Sequence, residues 1–237
     1  AAVAHLKPIV VVTGGSRGIG AALAMRFAEA GNDVALVARD AGGLTAAARL
    51  ISQKTYQRAI EVVQDITSAS APEDIEKALA AQGFYIDVLI NNAAIGGPER
   101  QTATDMDFDG LIETLNVNTI APLRVATAFL PNVKAAKGKI ITLSSQMGQV
   151  QSASSDSLDY RVSKAAVNKL MRGLAAELKP QGIPVLIVHP GWVKTDMGGA
   201  DADIDVATSV RGLADVIAAA QPPGQRYLDY TGATIPW

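Results

Sequence analysis

Six short apolar runs recur along the chain: Ile9 to Val12, Val34 to Val37, Ala59 to Val63, Val88 to Ile90, Ile140 to Leu143 and Val185 to Val188. They are nearly continuous in aliphatic residues instead of alternating with polar ones, the pattern of strands buried on both faces. The segments between them, Ala21 to Ala30, Leu44 to Ser52, Pro72 to Ala81, Ala121 to Ala135 and Ala165 to Leu178, carry helical spacing. A chain that alternates strand and helix pairs its strands in parallel, because each helix carries it back across the sheet by a right-handed crossover. The expected architecture is α/β, a doubly wound parallel sheet with helices on both faces. Gly31 and Gly182 fall just past helix ends, where glycine most easily takes the left-handed conformation that stops a helix.

No low-complexity or Pro/Ser-rich stretch divides the 237 residues, so a single domain spanning 1–237 is expected. Hydrophobic residues at 49% and charged residues at 19% supply a sizeable core and argue against disorder. A formal charge of −2, with acids and bases scattered, gives no footprint for nucleic acid or an anionic membrane, and neither is expected as a partner. Zero cysteines exclude disulfides, thiol catalysis and thiolate metal sites, and no metal is expected. No apolar run approaches the roughly 20 residues of a membrane helix. Ala1 to Lys7 lacks the basic-then-apolar pattern of a signal peptide, so a soluble, cytoplasmic protein is expected.

The first run passes into Thr13-Gly14-Gly15-Ser16-Arg17-Gly18-Ile19-Gly20, and helical spacing begins at once. Such a turn lets backbone approach a pyrophosphate closely, while the helix N-terminus offers free N–H groups and partial positive charge. A strand before it, a helix after it and a second strand ending about 20 residues later make the dinucleotide unit. That second strand leads into Ala38-Arg39-Asp40. An acid at position 38 would repel the 2′-phosphate of NADP; alanine does not, and Arg39, with Ser16 and Arg17 across the pocket, offers cationic and hydroxyl donors to it. NADP(H) is therefore the expected cofactor. The bland alternative leaves Arg39 as a solvated charge and Asp40 as the cap of the next helix.

Tyr160 and Lys164 lie four residues apart at the start of a helical stretch, so both project from one face. A free phenol titrates near ~10, and an ammonium beside it would favour its anion. The pattern is cheap by chance and takes its meaning from what surrounds it. Upstream, Lys139 to Leu143 ends in Ser144-Ser145, and Asn116-Val117-Asn118-Thr119 precedes the apolar helix that contains Pro122.

With Thr-Gly-x-x-x-Gly-x-Gly at 13–20, these motifs resemble the short-chain dehydrogenase/reductase family, whose fold is a Rossmann sheet. The resemblance covers most of the chain. It implies that Tyr160 is the acid/base, that Lys164 supports it and holds the nicotinamide ribose, that Ser145 orients the substrate oxygen, and that Asn118 interrupts a helix to hold a relay water. Ser144 is the expected spectator. It further implies dinucleotide contacts from Gly14, Ser16, Arg17, Gly18, Ile19, Gly20 and Arg39, and from Asp65 and Ile66 after the third strand. Asn92, Ala93 and Ala94 closing the fourth strand, and Pro190, Gly191, Val193 and Thr195 beside the nicotinamide, complete the implied set. The family usually has glycine where this chain has Ala94, which matters if that turn needs positive φ.

The segment His189-Pro-Gly-Trp-Val-Lys-Thr-Asp-Met-Gly-Gly-Ala and the terminal Gly232-Ala-Thr-Ile-Pro-Trp237 are similar to the carbonyl-reductase branch that includes Sniffer and the myxobacterial C-factor. The implied reaction is hydride transfer between NADP(H) and a small-molecule carbonyl or alcohol, in a homodimer or homotetramer. His189 itself reads as a packed or surface residue. Gln146 to Asp159 and Met197 to Val206 are expected to border the substrate, the second as a closing lid, and Met147 and Trp192 point to an apolar-walled pocket. Two rivals stand beside this reading. Gly14 to Gly18 also spells the Gly-x-Ser-x-Gly of serine hydrolases, although only 13 residues precede it and His189 has no evident acid partner. The same fold could also serve a nucleotide-binding sensor or signalling protein with little catalytic role.

Overall fold

The computed structural model describes residues 5–220 and 226–237. Ala1 to Ala4, part of the stretch read for a leader, lie outside the described residues. The strands are β1 (Lys7–Thr13), β2 (Val34–Ala38), β3 (Ala59–Val63), β4 (Phe84–Asn91), β5 (Gln101–Thr102), β6 (Asp105–Met106), β7 (Lys139–Leu143), β8 (Val185–His189) and β9 (Tyr227–Asp229). The helices are α1 (Gly18–Glu29), α2 (Ala41–Thr55), α3 (Ala71–Ala81), α4 (Phe108–Leu115), α5 (Ala121–Ala136), α6 (Leu158–Leu178) and α7 (Val206–Ala218).

Seven strands form one sheet in the order β3-β2-β1-β4-β7-β8-β9, and every neighbouring pair is parallel. The chain winds outward from β1 to β3, then returns to add β4 on β1's other side. That reversal is the switch point at which an open parallel sheet leaves a crevice beyond its strand ends.

Successive residues of β1 feed opposite layers. Ile9 and Val11 pack with Ile75 and Leu79 of α3, Val125 and Phe129 of α5, and Val167 and Met171 of α6. Val10 and Val12 pack with Leu23 of α1, Leu44 and Ile51 of α2, and Leu213 and Ile217 of α7. Each fully buried aliphatic side chain contributes about 1.5–3 kcal/mol, so both cores pull the helices onto the sheet.

β3 departs from the expectation of burial on both faces. Ile60 and Val62 are buried, whereas Glu61 and Val63 face outward. As the sheet's edge strand it has one covered face, and a five-residue window with two valines, an isoleucine and an alanine does not reveal that from composition. Gly31 and Gly182 do have positive φ, 99° and 69°, at the ends of α1 and of the turn after α6. Within Met197 to Val206, the segment expected to close as a lid, the Ile204 N–H donates to the Trp192 carbonyl at 3.1 Å and its carbonyl accepts from Lys194 at 2.9 Å. Among the described residues no helix is long and apolar enough to cross a membrane.

Candidate active site

A cleft of about 640 Å³ opens over the C-terminal ends of β1, β2 and β4. Gly14, with φ +66°, turns the chain at the end of β1 so tightly that a Cβ there would lie 2.9 Å from Ala93 Cα. Thr13 clamps the floor: its hydroxyl accepts N–H bonds from Asn92 at 3.0 Å and Ala93 at 3.1 Å. The Asn92 amide returns bonds to the carbonyls of Thr13 and Gly14. No side chain caps the first turn of α1, so its N–H groups remain available to an anion beside Gly14 and Gly18.

Most of the expected dinucleotide contacts line this cleft. Gly14, Ser16, Arg17, Gly18 and Ile19 form one wall, Arg39, Asp65 and Ile66 the far end, and Asn92, Ala93, Ala94, Pro190 and Thr195 the rest, with Tyr160 and Lys164. Gly20 does not line it; it lies beneath, where a Cβ would overlap the Gly14 carbonyl. Gly191 and Val193 open instead into a second cavity, because the chain turns at Gly191 with φ +86° and Val193 bridges to Ile204. Ala94 shows no positive φ, so alanine in place of the family's glycine costs no backbone strain.

At the far end Asp40 accepts the Gly43 N–H at 3.0 Å and caps α2, as the bland reading of that residue has it. Arg39 remains exposed and lines the cleft. The Asp65 carboxyl accepts both the hydroxyl and the N–H of Thr67, which hold its pKa below the ordinary value, with a smaller pull from Arg39. Arg17 reaches Asp196 at 3.9 Å across the mouth, between two strongly exposed side chains whose pairing is weak.

At the other end stand the candidate reacting groups. Tyr160 and Lys164 project from the first turns of α6, which begins at Leu158, earlier than helical spacing indicated. Lys164 is buried, and its Nζ donates to the Leu143 carbonyl at 3.2 Å and lies 5.7 Å from the Tyr160 ring centroid. Desolvation pushes the ammonium down to about 8. Burial also raises the Tyr160 phenol, opposed by a hydrogen bond with Ser145. Loss of water dominates the phenol's shift, in the direction opposite to the lowering expected from Lys164.

Ser145 starts a single helical turn, where its hydroxyl accepts the Met147 N–H at 3.1 Å. Ser144 lines the first cleft and donates to Asn168 at 2.7 Å. Asn118 lines neither cavity. It sits within a π-helical turn, Asn116–Ile120, between α4 and α5, not at a helix start. Its amide exchanges two bonds of 2.8 Å with the backbone of Ile95 and donates to Ser163 at 3.0 Å, tying α6 to the loop after β4. The widened turn is the expected interruption of helical bonding, and such turns cluster at functional sites.

Next to Tyr160, Asp159 is wholly buried, and neither carboxylate oxygen has a hydrogen-bond partner among the described residues. Desolvation and then the nearby Asp107 raise its pKa. A carboxyl whose folded pKa is raised destabilises the fold above that pKa and ceases to do so below its ordinary acidic value. Asp159→Asn should therefore raise Tm at pH 7 by about 2–5 °C, with the gain shrinking as pH falls through the acid range; paired thermal melts measure it.

The second cavity, about 660 Å³, adjoins the cleft. Ile19, Tyr160, Pro190, Thr195 and Met197 line both. Met147 and Trp192 are in its wall as expected, with Tyr230 and Ile204. Gln146 and Asp203 come from the two segments expected to border the substrate, whereas sequence reading missed Asp229, Tyr230 and the placement of His189 here; β9 brings Asp229 and Tyr230 round, and it carries no motif.

A cleft of this size at the switch point of a parallel sheet, sharing a half-buried tyrosine with a second cavity, is the arrangement of a dinucleotide-binding oxidoreductase fold. The chain belongs to the short-chain dehydrogenase family, whose model matches residues 8–204. C-signal of Myxococcus xanthus is 39% identical over 156 residues, 64% of this chain and 93% of that protein. Among solved structures, a short-chain dehydrogenase/reductase of Burkholderia multivorans with bound NADP is similar at TM-score 0.83 and 33% identity, covering 98% of this chain and 100% of that one. The carbonyl reductase Sniffer of D. melanogaster has TM-score 0.83 and 28% identity over the same shares.

Proposed function

We propose that the protein, acting as one catalytic domain, reduces a ketone, aldehyde or quinone with NADPH and runs the reverse oxidation, with Tyr160 as acid/base. The observation that carries this reading is that Tyr160 lines both cavities, so one phenol reaches cofactor and substrate spaces together. The cleft fits a dinucleotide: a cradle that admits no Cβ at Gly14, an uncapped helix N-terminus, and Ala38 with Arg39 where the adenosine ribose would lie. A nicotinamide bound there supplies or accepts the hydride at the carbonyl carbon.

The chain's residues handle the proton. Ser145 donates a hydrogen bond to the substrate oxygen and holds it toward Tyr160. As the carbon–oxygen π bond opens, the oxygen takes the phenolic proton, and Lys164 stabilises the resulting phenolate. Burial shifts the phenol toward its protonated form, the form that donates in the reduction direction. Asn118 contributes through the π turn that fixes α6 against the loop after β4.

NADPH oxidation across a panel of carbonyl compounds tests the reading, with NADH in parallel. We expect turnover with NADPH and a clear preference for it. Arg39→Ala should raise KM for NADPH by about tenfold and leave KM for NADH nearly unchanged, since only the 2′-phosphate uses the guanidinium. Equal or better use of NADH by the unaltered protein would remove the 2′-phosphate argument.

A further inference from the structure

The second cavity contains a polar group for which the proposed reaction has no task. His189 ends β8 in parallel register with Asp229 of β9, so both side chains leave the same face of the sheet. The imidazole is nine-tenths buried and lines the cavity. The Gln146 N–H donates to its Nδ1 at 3.2 Å. A ring nitrogen that accepts carries no proton, so the neutral ring has its N–H at Nε2.

Nε2 has no hydrogen-bond partner among the described residues, nor is it sealed from solvent. Asp229 is already engaged: its Oδ1 accepts Thr231 N–H at 2.9 Å, Thr231 Oγ1 at 2.6 Å and Ala233 N–H at 3.1 Å. Burial pushes the imidazole down to about 4 against a smaller upward pull from Asp229, which leaves the ring neutral through the physiological range.

The surroundings decide what that donor can meet. Trp192, Tyr230, Met147 and Ile204 supply apolar and aromatic walls. Asp203 and Asp229 add two carboxylates, and no lysine or arginine lines the cavity among the described residues. An anionic ligand would meet repulsion with no cation to offset it, whereas a neutral oxygen would accept a hydrogen bond from Nε2–H.

We propose that His189 is a specificity-determining residue whose Nε2–H binds a second, uncharged oxygen of the substrate, so that this site favours carbonyl compounds carrying another neutral acceptor, such as diketones. The proposal rests on the carbonyl-reductase reading above. It assigns His189 to orientation and binding, not to proton transfer.

The test compares an aryl diketone, 1-phenyl-1,2-propanedione, with the monoketone propiophenone and the anionic phenylglyoxylate. Comparing variants cancels the diketone's greater intrinsic reactivity. His189→Phe, which keeps a ring and removes the donor, should lower the diketone-to-monoketone ratio of kcat/KM by about five- to tenfold, mainly through KM. His189→Gln, which restores a donor near the Nε2 position, should recover most of that ratio, and phenylglyoxylate should be a poor substrate throughout. An unchanged ratio in the Phe variant, or a glutamine variant no better than phenylalanine, overturns the proposal. If the unaltered protein turns over no carbonyl, the functional reading fails separately. His189 is then judged by calorimetric titration of the diketone into the protein saturated with NADP: weaker binding in the Phe variant supports its role, and equal or absent binding refutes it.

Discussion

Tyr160→Phe should lower kcat for carbonyl reduction about a thousandfold, equivalent to about 4 kcal/mol of transition-state stabilisation. The substitution removes one oxygen from a side chain that lines both cavities and leaves the ring to pack as before. Lys164 keeps its bond to the Leu143 carbonyl, so the nicotinamide end of the cleft stays in place. NADPH affinity, read by fluorescence titration, should stay within about threefold, since the lost interaction is made to the reacting oxygen and not to the dinucleotide. A variant that loses binding and turnover together would show the phenol to be structural. One that keeps both would place the chemistry elsewhere.

The same groups fix the pH dependence. Lys164, pushed down to about 8 by burial, is charged below that value and neutral above it, while burial holds the Tyr160 phenol above its ordinary range. In the reduction direction kcat/KM should be level through neutrality and fall as pH rises through about 8, where the cation that stabilises the phenolate is lost. Lys164→Met should remove that limb along with most of the activity, about a hundredfold or more.

Much of this geometry was legible because it rests on local chemistry. The turn at 13–20 announces itself through glycines that backbone contacts require, and a parallel sheet follows from alternation alone. Tyr160 and Lys164 share a face by helical spacing, whatever lies around them. What stayed hidden depends on partners distant in sequence. β3 is half exposed because it lies at the sheet's margin, where the helices cover one face less fully, a fact about the sheet order and not about Ala59–Val63. The π turn at Asn116–Ile120 arises where the Asn118 amide bonds the backbone of Ile95, whereas α4 ahead of it does carry a helix cue, the Asp107 cap and the spacing of Phe108, Leu111, Ile112 and Leu115.

His189 shows the limit most directly. Before a proline at a strand end it reads as a packed residue, and it is buried; its place in the second cavity comes from β9 and the turn at Gln146. Asp159 was equally silent, since an acid in the first turn of a helix is ordinarily favourable and only its burial, with Asp107 nearby, reverses the sign.

Gly20→Ala should be the most damaging single methyl group that can be added to the nucleotide turn. A Cβ at this position would overlap the Gly14 carbonyl oxygen and come within 2.5 Å of Asn92 Nδ2. One neighbour is backbone, and the other is held by bonds to Thr13 and Gly14, so neither can step aside without opening the turn. The cost is about 1–3 kcal/mol of stability, and NADPH binding should weaken about a hundredfold, because the displaced Gly14 loop is the surface a pyrophosphate must approach. Gly18→Ala separates sterics from conformation. Gly18 has φ +58°, but its nearest neighbour is Thr195 Cγ2 at 4.0 Å. Alanine there pays about 1–2 kcal/mol for the left-handed backbone while meeting no obstruction. The Gly18 variant should retain measurable NADPH binding where the Gly20 variant has nearly none. Equal losses in calorimetric titrations would mean that the third glycine serves flexibility, not the close approach of α1 to the end of β1.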